Sequence, residues 1–393
     1  MAQQTADREQ KYVPCLEGVR GYGFLLVFCG HYFLPDQIAH TGSLRIKLVT
    51  AVLSMGLFAV PAFFVLSGFL IGGILYETRN REGYFKVFYS RRILRVFPVY
   101  YLTLLVIAAF AMLRAFPLNY RYWIHFLYIQ NLLPGYSGQH NPAGIMHFWS
   151  LAVEEQFYLL WPLIVWFFPE RRKLIAIASG LVVACCAARL IAPFVFPSRT
   201  ILYFSPMRAD AILLGVLLAM IRRDAIFDKL KRVAQWIALP GIATTMYLAI
   251  HEGQEWIVTL RGAEIWVPLA NFTAAAMVLT VMNEGSWINR VCSQKWICSV
   301  GKLSYSLYVI HLTFLLWITH SVTPYFAVHM RHSAAVLVSG AVALCMTFAL
   351  SLFSYRFIES PALSLKRYIR YGPPKIVEIP KEERELAFAK TGT

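Results

Sequence analysis

The chain has 393 residues, 58% of them hydrophobic and 15% charged, with a formal net charge of +16. That is far more apolar surface than a soluble core of this size needs to bury, so a membrane is the natural solvent. Lys and Arg fall in short clusters between long apolar runs and not on one basic face, which excludes nucleic acid as the expected partner and makes them topology signals.

In chain order, the opening residues MAQQTADREQKY are polar, so no cleavable signal peptide is expected and the first apolar segment should stay as a helix. Stretches long and apolar enough to span a bilayer run roughly over Leu16–Leu34, Leu53–Leu75, Val96–Leu113, Phe148–Phe168 and Leu174–Phe196. Five more follow over Ala209–Ile221, Val233–Ile250, Trp266–Met282, Leu303–Ile318 and Ala334–Phe353. The expected fold is therefore all-α: a polytopic helical bundle of about ten transmembrane helices. Its organisation is an N-terminal cytoplasmic segment (1–15), one transmembrane domain (16–361) and a polar, Pro-containing cytoplasmic tail (362–393).

Orientation follows from the basic residues, which concentrate in short cytoplasmic loops. With both termini inside, the inner loops hold Arg79, Arg81, Lys86, Arg91, Arg92 and Arg95, then Arg171, Arg172 and Lys173, then Arg222, Arg223, Lys229, Lys231 and Arg232, then Arg290, Lys295 and Lys302, and the tail adds Lys366, Arg367 and Arg370. The outer loops hold only scattered bases such as Arg45, Lys47, Arg121, Arg199, Arg261 and Arg331. Seven cysteines form no CxxC pair and show no metal-ligand spacing, so they read as small core residues and no metal is expected.

Ionisable groups inside apolar segments are costly and mark candidate sites. In the first segment Arg20 and His31 are eleven positions apart, about three turns and about 16 Å along nearly the same face. A guanidinium near the inner surface can fork onto phosphate oxygens, and an imidazole farther out can take a proton from a hydroxyl. The plainer alternative pairs Arg20 with Glu17 and bonds His31 to a backbone carbonyl. In HFWSLAVEEQFYLLWPL, His147, Ser150, Glu154 and Glu155 share one helix, and at least one acid must point into the bundle. Such a carboxylate can orient a histidine, or can pair with an arginine such as Arg208.

In FYSRRILRVFPVYY, Arg91, Arg92 and Arg95 stand at the inner interface, able to clasp phosphates of a nucleotide-bearing donor or to snorkel to lipid heads. Weaker signals are Ser67 with Gly68, and Tyr305, Tyr308 and His311 in the ninth segment. Arg356 and Glu359, three apart, suggest a local ion pair. Tyr120, Tyr122, Trp123 and Tyr136 offer sugar-stacking faces or ordinary interfacial anchors. Nucleotide-fold, serine-hydrolase and zincin motifs are absent from the sequence.

Taken in order, the Arg-x10-His stretch, FFVLSGFLI, RRILRVFPVYY, FWSLAVEEQFYLLWPL, MRADAILLG, SYSLYVIH and SYRFIESPA resemble acyltransferase family 3 over about Leu16–Pro361. These are the polytopic enzymes that O-acylate bacterial surface glycans and related acceptors. The resemblance implies an acyl-coenzyme A donor, most commonly acetyl-CoA, and ties activity to Arg20 and His31. Its other implications are a location in the bacterial inner membrane and, as partners, membrane lipids, a carbohydrate or glycolipid acceptor and envelope glycan assembly proteins. Glu17 stands where the family usually has Asp, and the residues after Tyr371 are too few for the hydrolase-like domain that some members carry.

The expected mechanism has Arg20 and the Arg91, Arg92 and Arg95 cluster holding the donor phosphates, with His31 as general base oriented by Glu154 or Glu155 in a cavity shared by donor and acceptor. Direct transfer and prior acylation of Ser67, Ser150 or His31 both stay open. A proton-coupled exporter of a glycan or lipid is the competing class, though no inverted internal repeat is visible. A scaffold subunit of a glycan assembly complex is a third.

Overall fold

The computed structural model describes residues 13–33, 44–113, 118, 120–133, 144–195, 202–251, 260–314 and 317–374. Residues 1–12, Tyr136, Arg199 and the tail beyond Pro374 lie outside the described residues, as do the side chains of Arg45, Lys47, Tyr120 and Arg261.

The chain is helical throughout its described length, with no β-strand there and one isolated antiparallel bridge, Arg81 to Pro374. The principal helices are α1 (Pro14–Phe33), α2 (Leu44–Leu53), α3 (Ala59–Thr78), α4 (Tyr84–Leu113), α5 (Phe148–Phe167) and α6 (Arg171–Ile191). They continue with α7 (Asp210–Ile221), α8 (Ala225–His251), α9 (Leu260–Val281), α10 (Lys295–Ile310) and α11 (His332–Ser354). Among the described residues, six helical stretches are long and apolar enough to cross a membrane: Ala51–Thr78, Tyr84–Leu113, Arg171–Ile191, Ala225–His251, Glu264–Val281 and His332–Tyr368. The other four predicted segments fall on α1, α5, α7 and α10. Three of these carry ionisable residues within or at the edge of their apolar stretch, and α7 is only 12 residues long.

Apolar side chains cover the outside of the bundle as well as its centre. Leu159, Leu160, Leu163, Trp166 and Phe167 on α5, and Leu105, Val106 and Phe110 on α4, are exposed, as a hydrocarbon solvent requires. Pro98, Pro162, Pro240 and Pro268 sit inside helices, where the surrounding bundle tolerates them.

Helix packing rests on small residues. Gly68 of α3 and Gly215 of α7 each present their bare Cα to the partner's backbone, against Ile212 O and Val65 O respectively, where a Cβ would collide. Gly301 of α10 does the same against Glu17 O of α1. These two crossings set the relative height of the helices that carry Ser67, Arg20 and His31.

The basic loops gather at one end of the bundle. Arg171 at the start of α6 donates to Met220 O and pairs with Asp224 just after α7, and Glu77 at the end of α3 pairs with Arg222 at 2.5 Å and Arg223 at 2.9 Å. Residues 369–374 fold back along the turn between α3 and α4: Gly372 N donates to Glu82 O and Glu82 N to Pro373 O, both at 3.2 Å.

Candidate functional site

Two voids open from this basic end toward the bundle centre. The larger, about 950 Å³, is bounded by Arg20, Arg92, Arg95, Arg222, Arg223, Lys302 and Lys366, with Glu17 and Glu77 as its acids. The smaller, about 120 Å³, lies against Arg20, Ser67, Arg92, Arg95, Ser150, Glu154, Glu155, Tyr158, Ser304, Tyr305 and Tyr308. Both share Arg20, Ser67, Arg92, Arg95 and Tyr158, so a strongly basic vestibule narrows onto a pocket with two carboxylates. The larger volume is at the upper end of the range for small-molecule sites.

The basic wall is only partly neutralised. Arg20 pairs with Glu17 at 3.1 Å, the local pair that the sequence offered as the plainer alternative, yet it still lines both voids. Arg95 reaches Glu359 at 3.2 Å, and Glu359 also accepts from Ser306 Oγ at 2.9 Å. Here the sequence reading needs correction, because Glu359 was expected to pair with Arg356. Residues Tyr355–Glu359 form a π-helical turn, and that wider winding turns Glu359, 1% exposed, into the bundle. Arg92 lies over Tyr158 at 5.8 Å, and its Nε has no hydrogen-bond partner among the described residues. Arg91 leaves the expected cluster: its Nε donates to Ile369 O at 2.9 Å, and it lines neither void.

At the narrow end Glu154 is held by two hydroxyls, Ser67 Oγ donating at 2.7 Å and Tyr158 Oη at 3.3 Å. Glu155, one residue on, lines the same pocket, so both carboxylates face it. Ser150 Oγ shares a 2.6 Å hydrogen bond with Tyr308 Oη and also donates to His147 O at 3.1 Å. Tyr305 Oη donates to Val96 O at 2.6 Å, which ties α10 to α4 beside Arg95.

Behind Tyr308 lies a second polar centre made of three imidazoles. His31 Nδ1 is 2.9 Å from Val27 O and 3.4 Å from His311 Nε2; His311 Nδ1 is 2.7 Å from Tyr308 O. A carbonyl only accepts, so each Nδ1 carries the proton, and His31 keeps a lone pair on Nε2. The His147 ring stands 4.7 Å from that of His311, with Nε2 3.3 Å from Val309 O and Nδ1 without a partner among the described residues. His31 remains accessible while His147 and His311 are buried.

This geometry departs from the sequence expectation in two ways. His31 is faced by His311 and not by Glu154 or Glu155, whose oxygens turn to Ser67, Tyr158 and the vestibule. Nor do Arg20 and His31 line one void. Phe24 and Val27 fill the stripe between them on α1, and Val27 packs with Phe63 and Tyr308 into a wall between the pocket and the imidazoles. In that wall Tyr308 lines the pocket and its ring centroid stands 5.2 Å from that of His147 and 5.5 Å from that of His311.

Arg208 lies outside both centres, stacked 5.3 Å over Trp149, and Glu154 and Glu155 do not pair with it. Tyr122 is buried with its hydroxyl on Leu104 O, so it presents no sugar-stacking face; Trp123 is exposed. The sequence reading gave Lys302 and Lys366 only a topological role, and it missed Tyr158 and Ser304 altogether. The only signal of Tyr158 and Ser304 was a polar group in the interior of an apolar helix, and helix adjacency alone brings them to the void. Among the described residues no group of three or more His, Cys, Asp or Glu is arranged to hold a metal ion.

An all-helical bundle with an apolar outside, half-buried carboxylates and hydroxyls at the end of a basic vestibule and imidazoles behind them has the parts of a membrane-embedded enzyme of group transfer. The family profile described as an acyltransferase domain matches residues 13–356, and the chain belongs to that family, acyltransferase family 3. Among curated proteins it is similar to the peptidoglycan O-acetyltransferase OatA of Listeria monocytogenes, 26% identical over 386 residues, covering 91% of this chain and 57% of that protein. It is 26% identical over 376 residues to the O-acetyltransferase OatA of Staphylococcus aureus, covering 89% and 57%. To the putative peptidoglycan O-acetyltransferase YrhL of Bacillus subtilis it is 25% identical over 382 residues, covering 90% and 55%. The chain thus spans little more than half the length of these relatives. No solved structure matches it.

Proposed function

We propose that this acyltransferase moves an acyl group, most simply acetyl, from a cytoplasmic acyl-CoA to a hydroxyl of an extracytoplasmic or lipid-linked glycan at the bacterial inner membrane. Ten segments cross the bilayer, both termini are cytoplasmic, and the basic loops mark the inner face. The observation that carries this reading is the vestibule, in which seven basic side chains surround a void that narrows onto Glu154, Glu155 and Ser150. Phosphates and a nucleotide fit the wide basic part, and a slender pantetheine arm fits the narrow one.

In this reading Arg20, Arg92, Arg95, Lys302 and Lys366 hold the donor. The thioester carbonyl comes to rest by Ser150 and Tyr308, whose hydroxyls can donate to a developing oxyanion. His31, with its lone pair on Nε2 and His311 behind it, takes the proton of the acceptor hydroxyl. Attack by that oxygen on the thioester carbon expels the coenzyme A thiolate. Because the wall at Tyr308 separates His31 from the pocket, the reaction requires Tyr308 and Ser150 to part, or a hydroxyl on the wall to carry the acyl group across. The peptidoglycan named for the relatives makes an amino-sugar glycan the acceptor class to test first.

The test is acceptor-dependent release of free coenzyme A from acetyl-CoA by the purified protein in lipid nanodiscs. Wild type should show it and His31→Ala should not. Full turnover by His31→Ala at normal membrane levels would overturn the mechanism, and donor uptake without turnover would overturn the enzymatic reading.

A further inference from the structure

At the bundle end opposite the basic loops, three charged side chains are buried together. Arg171, at the start of α6, is bonded near the end of α7, so Arg189 lies about 27 Å farther along α6 and Asp210 about 15 Å back along α7, toward the other end of the bundle. Arg189 is 0% exposed, Asp210 1% and Arg208 3%. Arg189 Nη2 binds Asp210 Oδ2 at 2.6 Å and Cys186 Sγ at 3.2 Å, and a second nitrogen reaches Met207 O. One oxygen of Asp210, Oδ2, is thereby committed to Arg189, while its Oδ1 has no hydrogen-bond partner among the described residues. Arg208 keeps Nε and Nη1 without a hydrogen-bond partner among the described residues, its guanidinium lying over the Trp149 indole. The ionisable groups that act on it are Asp210, Arg189 and Tyr203. Two buried guanidiniums thus share one carboxylate, a net positive charge withdrawn from water.

A buried charge of this kind calls for an anion, and the loop that bears it is built to hold it in place. Asn131 Nδ2 donates to Tyr203 O at 3.1 Å and to Ser205 Oγ at 2.7 Å, while Gln156 of α5 donates to Asn131 Oδ1 at 3.0 Å. The short turn before Arg208 is thereby clamped to the helix carrying Glu154 and Glu155. Trp149 is the link to the pocket: on one side it carries Arg208, and on the other it meets Phe64, a pocket-lining residue, edge-on at 6.1 Å.

We infer that Arg208, backed by Trp149, binds an anionic group, carboxylate or phosphate, of the acyl acceptor at the outer end of the bundle. This assignment rests on the acyl-transfer reading above for the identity of its ligand, though not for the existence of the anion site. It makes anionic glycans, whether uronic, muramic or phosphate-bearing, the preferred acceptors over neutral ones. An anionic lipid headgroup is the other source of the same chemistry.

The test uses the full chain in nanodiscs of neutral phosphatidylcholine. Two probes are compared: a chitooligosaccharide, and a glycan of the same length carrying free lactyl carboxylates on its muramic residues. Binding is read by titration without donor, and turnover by coenzyme A release. Wild type should bind the carboxylated probe at least tenfold more tightly, with inorganic sulfate competing for that probe alone. Arg208→Gln should erase the preference with an unchanged KM for acetyl-CoA, and Arg208→Lys should restore part of it.

Equal binding of the two probes by wild type, indifferent to sulfate, overturns the proposal without any reliance on variants that fold. So does an equal loss on both probes in Arg208→Gln. Displacement of the carboxylated probe by phosphatidylglycerol, with no preference in its turnover, would assign the site to lipid and overturn the acceptor assignment. Preferential binding without coenzyme A release would leave the anion site standing and sink the acyl-transfer reading; release with no preference would do the reverse.

Discussion

His31 of α1 and His311 at the end of α10 face each other, Nδ1 to Nε2 at 3.4 Å, while a backbone carbonyl fixes the Nδ1 proton on each ring. His311 therefore presents a lone pair to the N–H of His31, the arrangement that favours an imidazolium forming on His31 as it takes a proton. In the proposed mechanism its role is positioning, played by an imidazole where a carboxylate was expected.

His311→Ala should lower kcat for acceptor-dependent coenzyme A release by about 10- to 100-fold with KM for acetyl-CoA nearly constant. His31→Ala should cost about 10²- to 10⁴-fold. Since one residue acts through the other, the double variant should be no worse than His31→Ala; steady-state kinetics that show multiplied losses would assign the two rings independent tasks.

Glu154 presents a different dependence, because both its oxygens already accept hydroxyl protons, from Ser67 and Tyr158. Glu154→Gln keeps the shape but sets an NH2 group against one of those hydroxyls. It should reduce turnover by about 100-fold, whereas Ser67→Ala, removing one donor, should cost about tenfold or less. Comparing both with Glu155→Gln in the same nanodisc assay checks which carboxylate carries the dependence.

Intramembrane polarity made much of this legible in the sequence. Arg20, Arg92, Arg95, Glu154, Glu155, Ser67 and Ser150 do meet at one void, because an ionisable or hydroxyl group in an apolar helix has few other places to go. Which groups face each other was not legible. The partnership of His31 with His311 depends on α1 packing beside α10, helices far apart in sequence that touch through Gly301 against Glu17 O. Phe24 and Val27, which close the space between Arg20 and His31, looked like ordinary lipid-phase residues. The inward turn of Glu359 depends on a π-helical winding that a 3.6-residue period cannot anticipate.

That turn yields a stability prediction. Glu359 is buried against Arg95 and Ser306, whereas the locally spaced Arg356 takes no part in the pair. Glu359→Ala would leave Arg95 and Ser306 without their acceptor. It should destabilise the detergent-solubilised protein by about 2 kcal/mol, less than a fully buried pair because Arg95 is 26% exposed. Arg356→Ala should be silent, and thermal melts of both variants read the difference.

The α3–α7 crossing tests the small-residue packing. Gly68 and Gly215 each abut the other helix's backbone, and backbone cannot rotate away as a side chain can. Gly68→Leu should abolish monodisperse protein on size-exclusion chromatography. Gly180→Leu, at a position where nothing lies within 4 Å of an added Cβ, should leave the profile unchanged.

The vestibule makes the sharpest quantitative demand. Lys302 and Lys366 line it alongside three arginines of its inner wall, Arg20, Arg92 and Arg95. If they hold donor phosphates, Lys302→Ala and Lys366→Ala should each raise KM for acetyl-CoA by about 5- to 20-fold at low salt with kcat retained, since a charged hydrogen bond removed from a partly solvated site costs about 1–2 kcal/mol. Acetyl-dephospho-CoA, which lacks the 3′-phosphate, should show a similar rise with wild type. The lysine that contacts that phosphate should then show no further loss with the shortened donor, because the group it served is gone; the other lysine should still show its full effect. Losses that multiply for both lysines would place the 3′-phosphate elsewhere on the basic wall, and a KM indifferent to both lysines and to salt would empty the vestibule of its assigned donor.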